Sequence, residues 1–182
     1  DVGTGDIWMA SVFKSTDDGG AQFFFEKGNT TFALMTTAAG VLQARLGGTT
    51  NIPEQSAGNW SRTGFVIVTA SRVSSSCNGF VNGSDMTTTG TTNSGSISNS
   101  NVLDLGASAV GGNPLTGDIA EVLVGGATLD TNERQKIEGY LAHKYGLEGN
   151  LPSDHPYKSA APGYRVQYGI SSGLIDGGLI QA

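Results

Sequence analysis

GDIAEVLVGGATLDTNERQKIEGYLAHKYGLEGNLPSDHPYK, residues Gly117 to Lys158, joins an apolar strand-like run, one capped helix and a proline-bearing arm. Asp130 stands where an N-cap is needed, and Glu133 three residues on completes a capping box. Ile137, Tyr140, Leu141 and Tyr145 then recur at helical spacing, and Gly146 supplies a stop that tolerates the left-handed conformation. Pro152, Pro156 and Pro162 deny the chain further helical hydrogen bonds, so residues 151–162 are expected to run extended over the surface.

Outward from this stretch the chain reads as β-structure. Strand-like segments recur at Ile7–Lys14, Ala21–Lys27, Thr31–Thr36, Val41–Leu46, Phe65–Ser71, Asn78–Val81, Val102–Ala107 and Asp118–Val124. Turn chemistry separates them at Asp17–Gly20, Gly28-Asn29, Ala39-Gly40, Asn82-Gly83 and Gly111–Pro114. Asn-Gly in particular offers the positive φ angles of a two-residue hairpin. The run Phe65–Val68 is apolar on both faces and predicts a central strand covered on each side. Ser84–Asn101 is nearly all Ser, Thr, Gly and Asn and predicts a long rim loop or a polar edge hairpin. About eight strands and one helix predict an all-β antiparallel sandwich of jelly-roll type, with one C-terminal helix and an extended C-terminal arm.

Composition agrees and narrows the partners. Only 14% of the 182 residues are charged against 37% hydrophobic, with 28 glycines, the balance of a turn-rich sandwich. A net charge of −6 with ten scattered basic residues excludes a nucleic-acid surface, which needs clustered cations. No apolar run reaches the roughly 18 residues of a bilayer span, so no membrane partner is expected. Cys77 is the only cysteine, so no internal disulfide forms. The first residue, Asp1, leaves open a processing site or a fragment edge.

Three short motifs resemble the concanavalin A-like, laminin-G-type jelly-roll superfamily. They are Phe80-Val81-Asn82-Gly83, Leu103–Gly106 and Gly117–Val122, in that order along the chain. The helix and the arm Leu151-Pro152-Ser153-Asp154-His155-Pro156-Tyr157 resemble a phage and bacterial subgroup in which this segment closes the sandwich. The resemblance implies a jelly-roll domain over 1–158, followed by an extended arm or linker over 159–182. It implies two habitats: a virion surface, or the extracellular surface of bacteria.

Catalysis is not expected. Jelly-roll glycosidases of this superfamily set carboxylates as Glu-x-Asp-x-x-Glu on one strand, a spacing absent here. Asp118 and Glu121 are three apart, which on a regular strand sends them to opposite faces. His143 and His155 have no ligand partners at zinc spacing and read as structural. No cofactor is expected, with one calcium candidate: laminin-G-type modules hold calcium at a loop rim, and Asp17 with Asp18 would offer hard oxygens there. Asp-Asp-Gly-Gly is equally an ordinary hairpin turn.

Two surfaces remain as candidate contacts. Trp60, with Asn59 and Arg62 beside it, would stack on a sugar if the indole stood at the rim, and would lid the core if it turned inward. Residues 163–182 carry alternating Tyr164, Val166, Tyr168 and Ile170 and then the pairs Leu174-Ile175 and Leu179-Ile180. They read as a linker, an extra edge strand, or an arm that buries itself against an identical copy or a capsid or tail protein. The expectation is a non-catalytic structural or adhesive module of a phage virion, working as a homo-oligomer. A carbohydrate-binding module of a bacterial surface or secreted protein is the alternative, and a polysaccharide-degrading enzyme comes third.

Overall fold

The structure, a computed structural model, describes residues 3–16, 19–28, 31–47, 52–88, 95–108 and 112–163. Eleven strands are described: β1 (Ile7–Ser15), β2 (Gln22–Lys27), β3 (Phe32–Thr36), β4 (Leu42–Leu46), β5 (Pro53–Gln55), β6 (Val66–Val73), β7 (Ser76–Val81), β8 (Ser84–Asp85), β9 (Thr87–Thr88), β10 (Leu103–Leu105) and β11 (Gly117–Gly125). They form two antiparallel sheets, ordered β11-β1-β6-β7-β8 and β10-β2-β3-β4-β5-β9. One helix, α1 (Thr131–Tyr145), follows. All eight expected strands are present. The short β5, β8 and β9 lacked the apolar alternation that would announce a strand, and β8 and β9 join different sheets rather than pairing as one hairpin.

The core lies between the sheets. Phe13, Met9, Val66 and Val68 from the five-stranded sheet meet Phe24, Phe25, Leu34, Leu42 and Ala44 from the other. Phe24 is an extra residue in the β2–β3 register, and this bulge lets Phe24 and Phe25 both turn inward. β6 is covered on both sides: Val66 and Val68 enter this core, while Ile67 packs on the opposite face with Ala10, Val12, Leu141 and Ala142. Trp8 also lies on that outer face, half-buried, and not between the sheets.

Turn chemistry fixes the registers. Asn82 (φ 49°) and Gly83 (φ 80°) close β7 onto β8 as a two-residue hairpin. Between β6 and β7 the same job falls to Ser74 (φ 47°) and Ser75 (φ 71°), a pair whose residue types give no such signal.

α1 begins with the expected capping box. Asp130 Oδ1 accepts from Glu133 N–H at 2.7 Å, and Glu133 Oε2 accepts from Asp130 N–H at 3.2 Å. Gly146 ends it in the left-handed region. Leu141 and Ala142 face the five-stranded sheet, with Ile137, Tyr140 and Tyr145 packed at the margin. The helix is thereby a lid on the outer face of that sheet.

Candidate functional site

The lid is held by one buried ionic node. Glu138 is 0% exposed and its carboxylate collects every donor around it. Thr69 Oγ1 donates at 2.6 Å from β6, and Arg134 Nη1 donates to both oxygens at 2.7 and 2.8 Å from one helical turn earlier. His155 closes the set from the arm. Tyr157 N–H donates to its Nδ1, so that nitrogen carries no proton, and Nε2–H donates to Glu138 at 3.1 Å. The Arg134 guanidinium also lies 3.5 Å from the centroid of Phe80. His143 Nε2–H meets the Tyr157 carbonyl at 2.9 Å, and Lys158 Nζ donates to the carbonyls of Glu148, Gly149 and Leu151. The Asp-His-Pro-Tyr arm is thus fastened down by its own polar groups, and both histidines are engaged in doing so.

Asp118 and Glu121 depart from the expectation of opposite faces. β11 pairs Val12 with Glu121 but Phe13 with Ile119, so Ala120 is an extra residue and the alternation shifts by one. Both carboxylates therefore lie on the outer face. They are still not a pair: Asp118 binds Lys14 at 2.6 Å, whereas Glu121 accepts from Lys144 Nζ and the Tyr145 hydroxyl at 3.1 Å each. The hydrogen bonds to Tyr140 and Glu121 push the Lys144 pKa up.

Trp60 does not stand at the rim. It is 7% exposed, meets Phe13 edge-on at 6.2 Å between centroids, and donates its indole N–H to the Gly40 carbonyl at 3.1 Å. Arg62 lies 5.7 Å from the ring. Asn59 is exposed at the end of a 3-10 turn, Ala57–Asn59, where its carbonyl accepts from Gln55 Nε2. The three residues are neighbours, but an indole with its N–H committed and its faces packed has no surface to offer a sugar. This corrects the stacking expectation and favours the core-lid one. Asp17, Asp18, Tyr164, Val166, Tyr168, Leu174, Ile175, Leu179 and Ile180 lie outside the described residues. Among the described residues there is no cluster of three or more metal-ligating side chains, and no helix is long and apolar enough to cross a membrane.

A different set of polar groups gathers on the outer face of the six-stranded sheet. On β4, Leu42, Ala44 and Leu46 point into the core, so Gln43 and Arg45 point out. Arg45 donates Nη2 and Nε to Gln43 Oε1 at 2.8 and 3.2 Å, and Gln43 Nε2 donates to Glu54 Oε1 on β5. Register carries the polar row toward the other edge. Arg45 stands opposite Ala33, Ala33 opposite Glu26, and Glu26 opposite Asp104 on β10. Burial pushes the Arg45 pKa down, while the charges of Glu26 and Glu54 oppose that shift. Beside the polar row lies a small apolar cluster on the same face, Phe23, Ala33 and Met35, all three buried. Sequence reasoning missed this site, although its signal was there. In Leu42-Gln43-Ala44-Arg45-Leu46 the polar residues alternate with the core residues, as they do on the open side of a strand.

No protein-family model matches the chain, and no curated protein sequence does either. Solved structures resemble its fold. A Ruminococcus gnavus IT-sialidase CBM40 bound to alpha2,3 sialyllactose superposes with a TM-score of 0.55 at 21% identity, over 71% of this chain and 80% of that one. A Bacteroides ovatus protein named as a candidate carbohydrate binding protein gives 0.56 at 15%, over 72% of this chain and 40% of that one. The leech intramolecular trans-sialidase complexed with 2,7-anhydro-Neu5Ac gives 0.54 at 22%, over 72% of this chain but only 23% of the enzyme. At these identities the likeness shows a shared β-sandwich fold alone, and it gives the virion expectation no support.

Proposed function

We propose that this chain is a carbohydrate-binding module of an extracellular protein, and that it holds its glycan on the outer face of the six-stranded sheet. One observation carries the reading: Arg45 and Glu54, both partly exposed, are joined through Gln43 in a hydrogen-bonded row on a face that α1 does not cover. Polar side chains fixed before the ligand arrives lose little freedom on binding, and directed polar groups of this kind fix the orientation of a sugar. Arg45 Nη1 makes none of the described side-chain bonds in that row and would serve a sugar hydroxyl. The fold shared with the Ruminococcus gnavus module adds support, as does the Bacteroides ovatus likeness.

Among the described side chains Arg45 has the carboxylates of Glu26 and Glu54 near it, and this mixed charge makes the hydroxyls of a neutral glycan the ligand to test first. The test is an array carrying neutral and sialylated glycans, probed with the full chain and with Arg45→Ala and Gln43→Ala. Retention of neutral glycans that both substitutions abolish is the expected result. Silence across the array would sink the reading, and selective sialyl-glycan binding would overturn the charge argument. Trp60→Ala is expected to lower stability rather than remove binding selectively, because the indole is a core residue.

A further inference from the structure

We propose that the groove between α1 and β11, on the opposite outer face of the sandwich from the polar row, binds a small aromatic carboxylate that carries a hydroxyl at the far end of its ring. Among the described residues its walls are Leu123 of β11, Ile137 and Tyr140 of α1 and Pro162 of the arm, and the space between them is about 680 Å³. That falls within the roughly 300–1,000 Å³ usual for small-molecule sites. Leu123 and Ile137 are half-buried, so a ring laid on them takes further apolar surface out of water.

The polar groups of the groove stand at its two ends. Lys136 lies one helical turn before Tyr140, whereas Glu121 is gripped from about one turn after it, by Lys144 Nζ and the Tyr145 hydroxyl at 3.1 Å each. Charge complementarity decides which end takes the carboxylate. Lys136 is exposed, and both carboxylates near it on α1 are engaged elsewhere. Glu133 reaches back to Asp130 N–H, and Glu138 is buried with Arg134 and His155. The Lys136 ammonium is therefore left for an anion, in a chain whose net charge is −6. Glu121 makes the other end a hydroxyl site. Its Oε2 takes both of the bonds just named, while Oε1 accepts, among the described residues, only the Tyr140 hydroxyl at 3.4 Å. That is longer than the roughly 2.5–3.0 Å of a good O–H···O bond, so a ligand hydroxyl would be the better donor. Lys136 and Lys144 are about 12 Å apart along the helix axis, a span that an aryl ring with a short acid chain fills together with its terminal hydrogen bonds.

The test titrates the full chain with para-hydroxyphenylpropionate, with the amide of that acid and with phenylpropionate, and follows the NMR signals of Leu123, Ile137 and Tyr140. Shifts confined to the groove, saturating with a Kd of about 1 mM, are expected for the hydroxy acid. Its amide should bind about tenfold more weakly, and Lys136→Gln, at an exposed position, should weaken the acid by the same factor while leaving the amide unchanged. Phenylpropionate should bind less tightly than the hydroxy acid. No shifts in the groove up to about 20 mM acid overturn the proposal. So does equal affinity for acid and amide, or an unchanged affinity in Lys136→Gln. Equal binding of phenylpropionate overturns the role given to Glu121, and shifts centred on Gln43 and Arg45 would move the ligand to the other face. Failure of the glycan reading changes none of these outcomes, because the two sites share no residue.

Discussion

The two outer faces of the sandwich carry comparable numbers of polar side chains and use them in opposite ways. On the five-stranded sheet Thr69, Glu138, Arg134 and His155 turn toward one another, and the helix and arm that bring them exclude water. On the six-stranded sheet Arg45 and Glu54 are joined through the buried Gln43 but themselves stay partly exposed, with no helix among the described residues over them. The same hydrogen-bonding chemistry locks one face shut and holds the other ready. The difference lies in burial. A charge taken out of water must be compensated within the fold, whereas one left at the surface is free to act on a ligand.

Removing the carboxylate at the centre of the lid is the sharpest way to break the comparison. Glu138→Ala strands Arg134, whose side chain is 11% exposed, and deprives Thr69 and His155 of their partner. Breaking a buried ion pair from one side costs about 3–5 kcal/mol, and urea unfolding of the variant should show a loss of that order. A loss under about 1 kcal/mol would mean that the node is not what closes this face.

Gly139→Ala follows. In a helix this change ordinarily stabilises by about 1 kcal/mol. Here an added Cβ would lie 2.4 Å from Tyr157 Cβ, so the arm would have to lift from α1. Overpacking costs about 1–3 kcal/mol, which outweighs the propensity gain and reverses its sign. Increased stability in denaturant melts would show that the arm is only loosely seated.

This lid also shows what a sequence can and cannot disclose. Capping box, apolar stripe and stop are local, so α1 was legible to the residue at both ends. Glu138 was not. A buried carboxylate on a helix looks like a solvated one until Thr69, 69 residues away in sequence, and His155 from the arm are seen to meet it. The shared face of Asp118 and Glu121 was hidden for a related reason, since the bulge at Ala120 belongs to the pairing with β1 and not to β11 alone. Trp60 illustrates the remaining limit. Its position before β6 was clear, but whether it pointed in or out depended on the Gly40 carbonyl and on Phe13. On the open face, by contrast, Gln43 and Arg45 were readable by alternation alone.

Arg45→Ala sharpens the comparison from the other side. Arg45 itself is partly exposed, and hydrogen bonds from such a group contribute little to folding, so unfolding should shift by no more than about 1 kcal/mol. Glycan retention should nevertheless disappear. A stability loss matching that of Glu138→Ala would make the row on this face another structural brace and withdraw it as a site.

The smallest effect expected concerns how the lid is entered. Asp6, just before β1, accepts from Ser74 N–H and from the Thr128 hydroxyl, both at 2.8 Å, and so ties the approach to α1 to the β6–β7 turn. The Ser74 bond, then the Thr128 bond, hold its pKa below the usual carboxylate value. A carboxylate depressed in the folded state adds stability above its unfolded pKa of about 3.9, and that contribution is lost as the pH falls through the lower folded value. Asp6→Asn should therefore melt slightly below the native chain near pH 7, and the two melting curves should converge as the solution is acidified below about pH 4. Because Asp6 is only partly buried, the gap should also narrow in high salt. A gap that persists unchanged into acid would assign the effect to the shape of the side chain. The anchoring of the lid's entrance would then owe nothing to the charge of Asp6.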